Sequence, residues 1–152
     1  MKQNNSLSSC LHLLLHMAQE NKAVTSEQLA TFLDTNPVVV RKMLGGLREH
    51  QLVQSDKGHK GGWQLKKPLA QITLLDVYQA LGSPGLFAIG NRNDNPQCLV
   101  EQGVNRVMNQ TLASAEALLL KEFGTLTLLD IGKEFLAYPW HAAPKHLGEH
   151  HD

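Results

Sequence analysis

Residues 25–50, TSEQLATFLDTNPVVVRKMLGGLREH, limit the possible folds more than any other stretch, because they write two helices and the break between them. Thr25 followed by Gln28 is a capping-box pattern that opens a short helix over 25–33. Asp34-Thr35-Asn36-Pro37 is a turn that restarts a helix. Asn36 is suited to the N-cap, and Pro37 to the first helical position, where its missing N–H costs nothing. The restarted helix runs to about His50, and the spacing of Val40, Met43, Leu44 and Leu47 turns one apolar face inward. Gly45-Gly46 inside it is unusual, since each glycine costs about 1 kcal/mol relative to alanine.

The flanks complete an order. Leu7, Leu11, Leu14, Leu15 and Ala18 form a helical stripe over 6–20, with Ser6 as its N-cap. Leu52-Val53-Gln54 and Trp63-Gln64-Leu65 alternate as short strands around SDKGHKGG, a basic, glycine-rich loop. Helix, short helix, turn, helix and a two-stranded hairpin is the order of a winged helix-turn-helix. In that arrangement the helix after the turn enters the DNA major groove and reads bases from its N-terminal end. Val38, Val39, Arg41 and Lys42 are the residues left pointing outward. Arg41 can pair with a guanine edge and the valines can meet thymine methyl groups, while Lys42 and Arg48 suit phosphates. Gly58, Gly61 and Gly62 permit close approach of the wing to a nucleic-acid backbone, with Lys57, His59 and Lys60 as its contacts. Thr25, Ser26 and Asn36, at the two helix starts, complete the candidate DNA-binding set. Glycine-lysine hairpin tips are also common solvated turns, and winged domains serve as protein-interaction modules too.

Charge follows the same division. The chain is neutral overall, but residues 1–70 carry nine Lys/Arg against five acids, and residues 71–152 carry five against nine. A basic half joined to an acidic half is consistent with a nucleic-acid face and an assembly face. No phosphate-cradling loop, nucleophile elbow or HExxH motif is present, so an enzyme is the least favoured class. No run approaches the ~18 apolar residues of a membrane span. MKQNNSLSS lacks the pattern of a signal peptide, which leads to a cytoplasmic expectation.

Beyond the hairpin, ITLLDVYQALG (72–82) is a helix capped by Thr73 and ended at Gly82. Residues 83–97 are rich in Gly, Pro and Asn and read as a connector. The longest periodic segment follows, about 98–123, with Val100, Val104, Val107, Leu112, Ala115, Leu119 and Phe123 recurring every three to five residues. LTLLDI (126–131) repeats the sense of ITLLDV (72–77), as one Thr…Asp capping solution used twice rather than a duplicated domain. The resulting division is a winged helix-turn-helix over 1–82, the connector, a long and a terminal helix over 98–137, and a polar His-rich tail over 138–152. The fold class is mainly α, with a two-stranded β wing.

TSEQLA, NPVVVRKMLGGLREHQLV, GHKGGWQL and ITLLDVYQAL, in this order and spacing, resemble the bacterial Rrf-two family of transcriptional repressors. The likeness covers residues 7–82 well and extends more loosely to 136. It implies a homodimer joined through the long helix, with Val100, Val104, Val107, Leu112, Ala115 and Leu119 at the interface, acting on a pseudo-palindromic operator. It implies base readers early in the recognition helix, matching Val38, Val39 and Arg41. It also implies a basic wing residue entering the minor groove, where Lys57 stands in place of the usual arginine, with Asp56 beside it. Gln51 sits where a C-capping glycine is common. Many relatives carry three cysteines at the start of the dimer helix to hold an iron–sulfur cluster. This chain has only Cys98 there, with Val104 and Gln110 six and twelve positions on, and a single thiolate cannot hold a cluster that needs four ligands. The expectation is therefore the cluster-free branch of the family, with no cofactor.

Cys98, near a helix start, is a candidate redox switch, its thiolate favoured by the helix dipole; the alternative is a small capping-region residue without chemistry. Cys10 falls within the first helical stripe as a packing residue. His12 and His16 have the i, i+4 spacing that can bind a metal, but no third ligand is evident, so packed or solvent-facing histidines are expected. The tail histidines His141, His146, His150 and His151 invite a metal reading without fixed geometry, and no metal site is assigned.

Overall fold

The computed structural model describes residues 4–20, 22–56 and 61–136. Six α-helices and one antiparallel hairpin follow in the order α1 (Ser6–Gln19), α2 (Ser26–Leu33), α3 (Pro37–Glu49), β1 (Val53–Asp56), β2 (Gly62–Leu65), α4 (Leu74–Ala80), α5 (Leu99–Thr125) and α6 (Leu128–Leu136), with a short 3₁₀ turn at Leu69–Gln71. The order is the mainly helical, winged arrangement read from the sequence.

Local chemistry opens the helices where the pattern placed them. The Thr25 hydroxyl accepts from the Gln28 N–H at 3.2 Å, and the Gln28 side chain accepts from the Thr25 N–H at 3.0 Å. Asn36 caps α3 by accepting from the Val39 N–H at 3.1 Å, with Pro37 behind it. The start of α1 departs from expectation by one residue. Asn5 holds the N-cap, while Ser6 is already helical and donates its N–H to Asn4 Oδ1 at 2.9 Å. The buried face of α1 also differs, being Cys10, Leu13, Leu14 and Met17. This helix packs against α2, α4, β2 and α6 at once, so a wider arc is covered than one stripe provides.

Three helices exit through left-handed residues in Schellman geometry. After α2, Thr35 N–H reaches Ala30 O at 3.0 Å around Asp34 (φ 50°). After α3, Leu52 N–H reaches Leu47 O at 3.0 Å and Gln51 N–H reaches Arg48 O at 3.0 Å, around Gln51 (φ 63°). After α4, Ser83 N–H reaches Tyr78 O at 3.2 Å around Gly82 (φ 83°). Of the three turning residues only Gly82 is free of the Cβ penalty. Gln51→Gly is therefore expected to raise stability by about 0.5–1 kcal/mol. The left-handed penalty of ~1–2 kcal/mol is relieved, less the added freedom of the unfolded chain. Urea unfolding reads the difference, and the lost bond from the Lys66 ammonium to the Gln51 amide oxygen is a small debit.

Val40, Leu44 and Leu47 of α3 join Leu13, Leu14, Leu29, Leu52, Val53, Ile72, Val77 and Leu128 in one core. The two helix glycines have separate roles. A Cβ on Gly46 would sit 2.7 Å from the Ala80 carbonyl oxygen, so this glycine lets α3 approach the end of α4; a Cβ on Gly45 meets nothing within 4 Å. Gly45→Ala is expected to stabilise by about 0.5–1 kcal/mol, and Gly46→Ala to destabilise by about 1–3 kcal/mol. The same urea titration separates them by sign.

The repeated Thr…Asp motif is used twice and side by side. Thr73 pairs reciprocally with Asp76, and Thr127 with Asp130. The two helix starts are clipped together by Leu74 N–H to Leu126 O at 3.0 Å and Leu128 N–H to Ile72 O at 2.8 Å. Asp130 is held below the usual carboxylate range by its backbone and side-chain bonds from Thr127. The clip ties the end of α5 to the start of α4, whose far end touches α3.

Candidate nucleic-acid interface and assembly face

The outward side of α3 is apolar at its tip and cationic behind it. Val38 is 68% and Val39 44% exposed, and Arg41, Lys42 and Arg48 line the same helix outside the core. The helix's own periodicity produces this, since Val40, Leu44 and Leu47 occupy the inner face. Arg48 also serves the wing, its guanidinium carbon lying 5.5 Å from the centre of the Trp63 ring. Trp63 packs on the core and bridges to Val24, with N–H to O distances of 2.8 and 3.0 Å in the two directions. A Cβ at Gly62 would stand 2.8 Å from the Val24 carbonyl oxygen, so glycine is required there by that close approach. In the hairpin Val53 opposes Leu65 and Asp56 opposes Gly62. Lys57, Gly58, His59 and Lys60 at the tip lie outside the described residues, so the wing contacts assigned to them are not placed.

Of the remaining DNA-binding candidates, Thr25 and Asn36 use their side-chain oxygens as helix caps. Ser26 is buried at the start of α2, so its side chain is withdrawn from the outer surface, a correction that follows from its place on the inner side of the helix with Leu29 and Ala30. One residue the sequence reading did not single out is Glu27, whose Oε1 lies 3.6 Å from Arg41 Nη1. Periodicity could not reveal that contact, because it crosses between two helices.

Among the residues of α5, only Asn105 is buried. Along its free side run Val100 (76% exposed), Val104 (54%), Val107 (58%), Ala115 and Leu118 (63%). Leu112 and Leu119 do not share that side. At ~100° per residue they stand about 100–120° around from Val100, with Asn105 and Phe123, and both are half-buried. Phe123 meets Tyr78 of α4 edge-on at 6.0 Å between ring centres. Leu118 replaces Leu119 on the exposed stripe, and Phe87 and Ile89 of the connector add exposed apolar area. The connector is laced to α5 by Arg92 to Glu101 at 2.9 Å and Asn105 to the Asn93 carbonyl at 2.7 Å.

Cys98 is the N-cap of α5, exposed, and its side chain makes no capping bond. Cys10 lies within the core, where burial pushes its thiol up to about 12, so it stays protonated and unreactive. His12 and His16 meet at 2.8 Å between their Nε2 atoms, and His16 stacks on Phe32 at 4.5 Å. Burial first, then the neighbouring His12, lowers the His16 pKa. The unfolded chain therefore binds its proton more readily, and stability falls as pH drops through the ordinary value of 6.5. Thermal melts between about pH 7.5 and 5.5 should show that decline, reduced in His16→Gln. The tail histidines His141, His146, His150 and His151 lie outside the described residues.

A family profile described as "Rrf2: Iron-dependent Transcriptional regulator" matches residues 4–134. The chain is 33% identical over 129 residues to a Bacillus subtilis (strain 168) protein named as an HTH-type transcriptional regulator, YwnA, covering 84% of this chain and 95% of that protein. A solved structure described as a DNA-binding protein is similar at 29% identity and TM-score 0.67, over 83% of this chain and 97% of that one. The T. potens IscR structure shares the fold at 18% identity and TM-score 0.65, over 88% of each chain. Among the described residues no three His, Cys, Asp or Glu side chains are grouped to hold a metal. With one cysteine in the core and one exposed at a helix start, the thiols do not fit a cluster.

Proposed function

Because this chain belongs to the Rrf2 family of transcriptional regulators, we propose that it is a repressor acting as a homodimer on a pseudo-palindromic operator, with α3 in the major groove. The observation that carries the reading is the outward face of α3, where Val38, Val39, Arg41 and Lys42 follow a capped helix start. Arg41 reads a guanine edge, the valines meet thymine methyl groups, and Lys42 and Arg48 hold phosphates. Thr25 and Asn36 fix the starts of the two helices of the motif and so set the angle at which α3 is presented. Lys57, His59 and Lys60 on the wing add phosphate or minor-groove contacts.

Two copies join through the exposed side of α5, which places the two recognition helices for successive half-sites. No iron–sulfur centre is used. Cys98, an exposed thiol at the start of the dimer helix, is the candidate redox switch, the alternative being a capping-region residue without chemistry. Anisotropy of the purified protein on its own upstream DNA and on a scrambled duplex, reduced and oxidised and at two salt concentrations, tests these statements together. Preferential, salt-sensitive binding is expected, because phosphate contacts release counterions. Equal binding to both duplexes would instead favour a winged domain that works through a protein partner, a reading to which Asp56 beside the wing tip lends some support. Visible absorbance of protein purified without oxygen tests the absence of a cluster.

A further inference from the structure

Resting on that DNA-binding reading, we infer that Glu27 is a positioning residue that holds Arg41 for base readout and thereby sets how strictly α3 discriminates sequence. Glu27 stands in the first turn of α2 and Arg41 in the second turn of α3, so their contact closes across the turn that joins the two helices. Oε1 to Nη1 is 3.6 Å, an ion contact longer than a hydrogen bond, between side chains 67% and 50% exposed. Among the described residues, Arg41 is the α3 cation in an ion pair, whereas Lys42 and Arg48 contact no carboxylate.

The chemistry divides the three cations. An exposed arginine on a long stem can reach either a base edge or a phosphate, and the phosphate contact carries no sequence information. Glu27 opposes the second use in two ways. It retains the guanidinium over the α2–α3 junction, and its carboxylate repels phosphates in the region where the first helix of the motif crosses the DNA backbone. Only Nη1 is engaged, which leaves the Nε and Nη2 edge of the planar fork free to pair with guanine O6 and N7. Lys42 and Arg48 remain available for sequence-blind attraction.

The test is an anisotropy titration of full-length wild type, Glu27→Gln, Arg41→Ala and the double variant on the upstream and scrambled duplexes, with thermal melts as folding controls. Glu27→Gln is expected to tighten scrambled-duplex binding about three- to tenfold while moving upstream-duplex binding less than about twofold, so discrimination falls. In the Arg41→Ala background the same change should alter both duplexes equally, because no arginine is left to position. If Glu27→Gln shifts both duplexes equally with Arg41 present, Glu27 acts only as a through-space charge and the assignment is overturned. If wild type shows no preference between the duplexes, the DNA-binding reading falls and takes this assignment with it.

Discussion

In the proposed homodimer, replacing both Val104 and Val107 by aspartate is expected to leave a monomer and to remove most of the proposed operator binding. Both side chains are more than half exposed on a helix that buries only Asn105, so two carboxylates there leave the isolated fold intact. Across a dimer interface the same groups would have to lose water without a partner. Each costs several kcal/mol, so dimer affinity should fall at least ~1,000-fold. A monomer loses the gain from engaging two half-sites at once, about 10²- to 10⁴-fold. Sedimentation velocity reads the mass, and anisotropy on the upstream duplex reads the binding. Retained helicity with a cooperative melt separates dissociation from unfolding, since loss of the dimer lowers Tm by mass action alone. Leu112→Asp is the contrast: its half-buried side faces the protein's own chain, so stability should fall. If the double variant carrying Val104→Asp and Val107→Asp stays dimeric, the assembly face does not lie on α5.

Arg41→Ala should erase sequence preference while leaving much of the affinity. A bidentate arginine–guanine contact contributes about 1–3 kcal/mol of discrimination, so the upstream-to-scrambled ratio should drop about 10- to 100-fold. Lys42→Ala should weaken both duplexes alike and lower the salt slope by about one, as expected for a lost phosphate contact. A preserved ratio in Arg41→Ala would place base reading elsewhere, with Val38 and Val39 next in line. The two variants differ in kind, and a single titration series at two salt concentrations distinguishes them.

Much of the site was legible because it depends on local chemistry. A capping box needs only Thr25 and Gln28, and the Asn36-Pro37 restart needs only its own four residues, so both helix starts fall where the sequence places them. The inner face of α3 follows from 3.6-residue periodicity, and the outward set is its complement. The twin Thr…Asp motifs were recognisable as caps, but not as neighbours. That they lie side by side and clip α5 to α4 depends on two chain segments distant in sequence. Gln51 stands where the family resemblance places a C-capping glycine, and its backbone takes the left-handed conformation of that position.

The differences in burial share one cause. A stripe on a helix identifies an apolar arc without saying what covers it. On α1, four surrounding elements widened the buried arc beyond the predicted stripe. On α5, α4 and the connector pack along the helix and leave another arc bare, and Leu112 and Leu119 are half-buried while Leu118 is exposed. Ser26 is withdrawn because the inner side of α2 begins at its first residue.

By itself the sequence determined the helices and the hairpin, their order, the caps of α2, α3 and α4 and the outward chemistry of the recognition helix, since each rests on interactions within one turn or one periodic face. Only the tertiary structure decided what crosses between elements. Gly46 serves as the contact of α3 with the Ala80 carbonyl, while Gly45 faces open space. Trp63 is held between Val24 and Arg48, and Glu27 is set against Arg41. Those pairings depend on where packing brings distant backbones, and hydrophobic burial selects that arrangement for the whole chain at once.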